Sequence, residues 1–332
     1  MLKKLATMVI IICMIVALFP ITTKKSDAAT PTKTINILFI GNSKTYYNNM
    51  PAILSNMLTK SNYKNNYKVL VKGSMSLNFH YHFIKDNEEQ IKTLFNNEKI
   101  DYVILNEQTD VQLAPYGTIY DSRYDPDPEK NYTNKSIYGN LSVDALRVVK
   151  KLRSYGMITK KDTKIILNAT WNYSDLQNID ETNYNFEKTK EAIQNAGYVN
   201  CEIAYSGSAI KNVYDEMQNP DGVLTSQELF VDEKHPTQLG SYIEALAIYR
   251  AMFGTNMIAD YAGSVSAEKM QQSVNRYFVF ENYTYRKFTY SNEKDYLKRA
   301  FNEPKLKKIP YIEDIRNFVN NSFDSSESNE II

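Results

Sequence analysis

Ile35-Asn36-Ile37-Leu38-Phe39-Ile40-Gly41-Asn42-Ser43 is the stretch on which the fold turns. Its short apolar run ends at a glycine, and a run of that length with a turn residue behind it predicts a buried strand. Four more runs have the same character: Tyr67–Val71 (YKVLV), Asp101–Leu105 (DYVIL), Lys164–Leu167 (KIIL) and Tyr198–Ala204 (YVNCEIA). Between them, apolar residues recur at helical spacing over Pro51–Lys60, Lys85–Asn97, Leu141–Tyr155 and Thr182–Ala196. Pro51 suits a first helical turn, and Gly156 and Gly197 suit helix ends. Strands alternating with helices predict an α/β fold: a parallel sheet of about five strands with helices on both faces. Ligands of such sheets lie beyond the carboxyl ends of the strands. The residues that follow each strand are therefore where chemistry is expected.

The N-terminus reads as an export signal. Lys3 and Lys4 precede an almost unbroken apolar run from Leu5 to Phe19, and Ser26-Asp27-Ala28-Ala29 supplies small residues for cleavage. The run is short for a membrane span, which takes roughly 20 residues; an uncleaved anchor is the competing reading. Residues 1–28 hold four lysines and one aspartate, so the remainder falls from a net charge of +1 to −2. That near-neutrality argues against a nucleic-acid partner, because phosphate binding needs concentrated positive charge. Cys13 and Cys201 are the only cysteines, and with Cys13 in the signal no internal disulfide forms. The expected organisation is a signal over 1–28, a catalytic domain over 33–254, a helical extension over 255–322 and a disordered tail over 323–332.

Two segments leave the alternation. Val111–Asn140 is a polar, Tyr-rich stretch directly after the third strand run. A connection of that length is a lid or substrate-binding loop, or it is disordered. Beyond Gly254, helix-like patterns recur at Ser266–Tyr277 and Tyr311–Asn321 before an acidic, Ser-rich end, Asp324–Glu330.

Serine hydrolysis needs a hydroxyl nucleophile, a base, a carboxylate that orients the base, and donors for an oxyanion. The chain has only three histidines, His80, His82 and His235. Ser43 follows the first strand, with Gly41 allowing a sharp turn before it. Taken alone, Gly-Asn-Ser equally describes a serine that caps the next helix. Asp232 and His235 lie three apart in Val231-Asp232-Glu233-Lys234-His235-Pro236, ahead of a helix over Gln238–Phe253. That spacing lets a carboxylate reach imidazole Nδ1 and leaves Nε2 for a hydroxyl. Gly73 follows the second strand and Asn106 the third, and each offers an oxyanion donor: a backbone N–H and a side-chain amide. Trp171 follows the fourth strand, where it is a pocket wall or ordinary packing. His80 and His82 would share a face on a strand, but a third metal ligand is lacking.

Taken together, Ser after strand one, Gly after strand two, Asn after strand three and Asp-x-x-His near the end resemble the four blocks of the SGNH (GDSL-like) hydrolases, in order. The resemblance runs from Ile35 to Gly254. The segments Ile37–Ser43, Gly73–His80, Val103–Thr109 and His235–Tyr242 are similar to one bacterial branch of that family. It implies a flavodoxin-like three-layer α/β/α sandwich and a Ser43–His235–Asp232 triad, with the N–H groups of Ser43 and Gly73 and the Asn106 amide as oxyanion hole. It further implies hydrolysis of an ester, often of an acetyl or other short acyl group, without metal or organic cofactor; with the export signal, the expectation is a secreted, monomeric esterase acting on an acylated small molecule or polysaccharide. An O-acyltransferase with the same triad and a silent glycan-binding relative are the rival readings. Lys44 and Ser74 depart from the branch's pattern; Lys44 is expected at the substrate pocket beside Trp171.

Overall fold

The computed structural model describes residues 34–121, 138–217, 229–254 and Val319. The expected signal and tail, and all of the expected extension but Val319, lie outside these residues. β1 (Thr34–Gly41), α1 (Ser43–Tyr46), α2 (Met50–Lys60) and β2 (Lys64–Val71) come first. α3 (Leu77–Asp86), α4 (Glu88–Lys92), β3 (Tyr102–Leu105) and α5 (Thr109–Leu113) follow. After a small β4 (Tyr120–Asp121) and β5 (Tyr138–Gly139) come α6 (Leu141–Ser154), β6 (Lys164–Asn168) and α7 (Ile179–Asn195). β7 (Cys201–Ala204), α8 (Ser206–Met217) and α9 (Gln238–Phe253) complete the order.

Five strands form one sheet in the order β2-β1-β3-β6-β7, and every pairing is parallel. The chain starts in β1, adds β2 on one side, then crosses to β3 on the other. This is the doubly wound order of flavodoxin-like folds, and the reversal leaves a crevice at the carboxyl ends of β1 and β3. Alternate side chains of each strand feed two separate apolar layers. Ile37, Phe39, Ile104 and Ile166 face α2, α8 and α9; Leu38, Ile40, Val103, Leu105 and Leu167 face α3, α4, α6 and α7. The result is a three-layer α/β/α sandwich. Val319 is buried in the first layer.

Several boundaries differ from the sequence reading, each for a physical reason. β2 starts at Lys64 rather than Tyr67, because backbone pairing to Thr34–Ile37 carries an edge strand through polar, partly exposed residues. β7 starts at Cys201 rather than Tyr198. Gly197 is left-handed, and the N–H groups of Gly197 and Tyr198 donate to Gln194 O and Ile193 O, so Tyr198 still belongs to the end of α7. The helix expected over Lys85–Asn97 is two helices, beginning at Leu77 behind a Ser76 cap and interrupted at Asn87. His80 and His82 thus stand on a helix two residues apart, which points them to different sides. The segment after β3 carries α5 and an antiparallel β4–β5 pair, with 122–137 outside the described residues. Among the described residues no helix is long and apolar enough to cross a membrane.

Gly41 carries the strand-to-helix turn. A Cβ there would fall 2.3 Å from Thr45 Oγ1 and 2.9 Å from Asn106 Cβ. Real Cβ atoms do not come that close, so the end of β1 fits against β3 only without a side chain. Gly41→Ala is expected to lower stability by about 1–3 kcal/mol, the usual cost of overpacking, read as a lower urea midpoint with an unchanged m-value.

Candidate active site

Ser43 opens α1 one residue beyond Asn42, whose extended backbone turns the chain out of β1. The Asn42 amide donates to Glu107 O (2.9 Å), and its carbonyl oxygen accepts from Lys44 N (3.2 Å), which locks the turn to the residues after β3. The leading amides of a helix have no acceptor within it. Here Lys44 N and Thr45 N donate to the Asn42 side chain and main chain respectively.

His235 and Asp232 arrive from the far end of the chain. Val231 N donates to His235 O and Thr237 N to Leu229 O, closing a tight loop over Phe230–Pro236 ahead of α9. Asp232 Oδ1 accepts from the backbone of Lys234 and of His235, each at 2.8 Å, and Oδ2 stands 2.8 Å from His235 Nδ1. A carboxylate is an acceptor, so Nδ1 carries the ring proton and Nε2 is left as the acceptor. Nε2 lies 3.0 Å from Ser43 Oγ. The Tyr47 ring stacks on the imidazole, with centroids 4.1 Å apart and planes 11° from parallel. Three residues expected to cooperate therefore form one hydrogen-bonded chain, and Tyr47, which sequence reasoning did not single out, packs flat against the imidazole.

Burial holds His235 below its ordinary value, helped by Lys44 and Lys234 and opposed by Asp232. Burial pushes the Asp232 carboxyl up, but the donors from Lys234 and His235 outweigh it and hold it below the usual carboxylate range. The resting pair is thus a neutral imidazole beside a carboxylate, the protonation state in which a hydroxyl proton moves to Nε2.

Of the other expected site residues, Trp171 and Lys44 are the two that burial places differently. Gly73 sits beside Tyr46, one strand away from the Ser43 turn; a Cβ on it would lie 3.1 Å from Tyr46 Oη. The left-handed residue of that turn is Ser74, at φ 61°. The Asn106 amide donates one of its two N–H groups to Thr45 Oγ1 (3.1 Å), two residues beyond Ser43. Trp171 is fully buried, its indole N–H donating to Lys234 O at 2.9 Å and its ring edge-on to Phe230. It braces the histidine loop and offers no open face to a substrate. Lys44 is buried too, its ammonium on the Trp171 carbonyl. Both were expected in the substrate pocket; burial beneath the loop corrects that. His80 is buried with Nε2–H on Gly41 O (2.7 Å), and burial pulls it down to about 4, so it is a neutral structural donor.

No protein-family model and no curated protein sequence matches the chain. Solved structures do. A protein assigned as an SGNH hydrolase from Slackia heliotrinireducens is 18% identical with a TM-score of 0.42, covering 66% of this chain and all of that one. A DUF4886 family protein from Bacteroides uniformis is 16% identical with a TM-score of 0.42, covering 85% and 99%. A variant of Axe2, an acetyl xylan esterase from Geobacillus stearothermophilus, is 16% identical with a TM-score of 0.44, covering 66% and 94%.

Glu107 supports the site from below. It is fully buried; Oε1 accepts from Leu77 N (2.9 Å) and Gln108 N (2.7 Å), joining the start of α3 to the end of β3. Burial raises its carboxyl to about 8 against those two donors. A folded-state value raised above the unfolded one stabilises at low pH, and the effect is lost as pH climbs from about 4.3 toward 8. Glu107→Gln keeps an acceptor for both N–H groups but cannot ionise. The melting temperature of the variant is therefore expected to gain on that of the unsubstituted chain between pH 5 and 9. Parallel curves would show that Glu107 does not resist ionisation.

Proposed function

We propose that this chain is a serine esterase working through an acyl-enzyme. The observation that carries the reading is the unbroken chain from Ser43 Oγ to His235 Nε2 (3.0 Å) and from Nδ1 to Asp232 (2.8 Å). Ser43 Oγ attacks the ester carbonyl while His235 Nε2 takes its proton. The imidazolium so formed is held by Asp232, and Nε2 returns the proton to the departing alcohol. Water, deprotonated in turn by His235, then attacks the acyl-serine and releases the acid. The Ser43 and Gly73 N–H groups are assigned to the oxyanion. The Asn106 amide gives one N–H to Thr45 Oγ1 and has a second to offer, so it is assigned to the oxyanion with them.

The reaction is hydrolysis in this proposal. The side chains of Asp232 and His235 are 40% and 19% exposed, so water reaches the base, which supports hydrolysis over transfer to a sugar acceptor. The complete hydrogen-bonded chain supports an enzyme over a silent glycan-binding protein. The substrate class proposed is an O-acetyl or short-acyl ester on a glycan or small molecule, met outside the cell. That part rests on the N-terminal apolar run and its small-residue end.

Ser43→Ala is expected to lower kcat for p-nitrophenyl acetate by at least about 10³ with the fold intact, as loss of a triad nucleophile does. Equal rates for the two proteins would remove the assignment. The pH profile follows from the direction of the His235 shift. The neutral imidazole is the active form, so kcat/KM should be level above neutrality and fall tenfold per unit on the acid side, with its midpoint below 6.5. A midpoint above 7 would contradict the burial argument.

A further inference from the structure

Lys44 follows the nucleophile directly, yet only 2% of it is exposed. An ammonium taken out of water is costly unless acceptors surround it. Here it meets the Trp171 carbonyl and, at 3.5 Å, Thr170 Oγ1. Gln112 holds the same two residues: its amide donates to Thr170 O (3.1 Å) and Trp171 O (3.3 Å), and its Oε1 accepts from Thr170 Oγ1 (3.2 Å). Glu244, fully buried on α9, shares this interior. Its Oε1 accepts from the Asn168 amide (2.7 Å), and its Oε2 has no hydrogen-bond partner among the described residues. Burial draws Lys44 down to about 7 and Glu244 up to about 8, each countered in part by the other. An unbranched apolar residue would fill the same space without that desolvation, so packing alone does not account for a lysine at 44.

The contacts close into a ring. Lys44 is bonded covalently to Ser43; its ammonium holds the Trp171 carbonyl; the Trp171 indole holds Lys234 O (2.9 Å); Lys234 precedes His235; and His235 Nε2 returns to Ser43 Oγ (3.0 Å). We propose that Lys44 is a positioning residue for the base, tying the nucleophile turn to the β6 exit and, through the Trp171 indole, to the loop that presents His235. Among the described residues, the groups acting on the imidazole include Asp232 and Lys234 from its own loop, Ser43 and Lys44 from α1, and the stacked Tyr47 ring. Lys44 is the cation among them that comes from the nucleophile's own turn. It discourages the imidazolium while Asp232 encourages it, which keeps Nε2 free as an acceptor.

The kinetic consequence rests on the esterase reading; the geometric one does not, and the test separates them. Trp171 is the only tryptophan and His235 one of three histidines, so tryptophan emission and histidine C2–H titration by NMR report on the ring without any substrate. Lys44→Met preserves length and packing and removes the charge. His235 is then expected to titrate about half a unit higher or more, the scale of a nearby charge lost, and the Trp171 emission to change. With an active ester, kcat falls several-fold with KM nearly held, and the acid limb moves up by the same amount. Should Lys44→Met leave the buried Glu244 uncompensated and fail to fold, the double variant Lys44→Met with Glu244→Met removes both ionisable groups and carries the same expectation. A folded variant in which His235 titrates and Trp171 emits as in the unsubstituted protein overturns the proposal. Equal hydrolysis by Ser43→Ala would instead overturn the esterase reading and leave the NMR and fluorescence arms standing.

Discussion

The hydrogen bond between His235 and Ser43 joins groups 192 residues apart, and little in either local sequence could form it. It exists because a doubly wound parallel sheet delivers the ends of its strands to one rim. β1 places Ser43 there, β6 places Trp171 there, and the loop before α9 crosses the same rim carrying Asp232 and His235. The sheet in turn depends on both faces being covered, which the alternation of Leu38 and Ile40 against Ile37 and Phe39 secures. Loss of either apolar layer would separate the two ends of the chain and dissolve the site.

The rim itself is held by buried polar contacts rather than by apolar packing. Asn42 is pinned to Glu107, Glu107 to the first turn of α3, His80 to Gly41, and Asn48 to Pro236 and Ser241. Each replaces water with a partner of fixed direction, which apolar contacts do not supply. The first turns out of the strands are thereby oriented, not merely packed. The Asp232–His235 loop, by contrast, stays half open to solvent: two backbone N–H groups on one carboxylate give it shape without burying it.

How much of this was legible in the sequence follows from where each signal lies. The strand cores and the helix over Gln238–Phe253 announce themselves by apolar runs and by spacing. Ser43, Asp232 and His235 were visible because strand ends and a three-residue carboxylate–histidine spacing are local features. The first turns of α3 and the whole of α8 were not, since Ser76 and Ser206-Gly207 read equally as turns; partners distant in sequence, such as Asn168 accepting from Ser206 Oγ, help make the second a helix start. Trp171 and Lys44 were placed in the wrong environment for the same kind of reason. An aromatic ring and a long cation after a strand suit an open pocket or a buried brace alike. Which applies depends on whether another loop covers them, and the covering loop lies more than 60 residues away.

That difficulty points to what is distinctive about the site. A serine, a histidine and an aspartate need only be brought to one edge to form a hydrogen-bonded chain, but the protonation state of that chain is set by what lies beneath it. Here a buried lysine and a buried glutamate stand where apolar side chains would serve packing equally well. Fully buried charges interact more strongly than solvated ones because little water screens them. In the role proposed for it, the ammonium of Lys44 would act on the imidazole more strongly than an exposed lysine at the same separation. In acting on it, Lys44 opposes Asp232. One group favours the imidazolium that the proposed proton transfer would create, and the other favours the neutral ring that it would start from. Burial, and the balance between these two groups, set the acidity at which the imidazole takes up a proton.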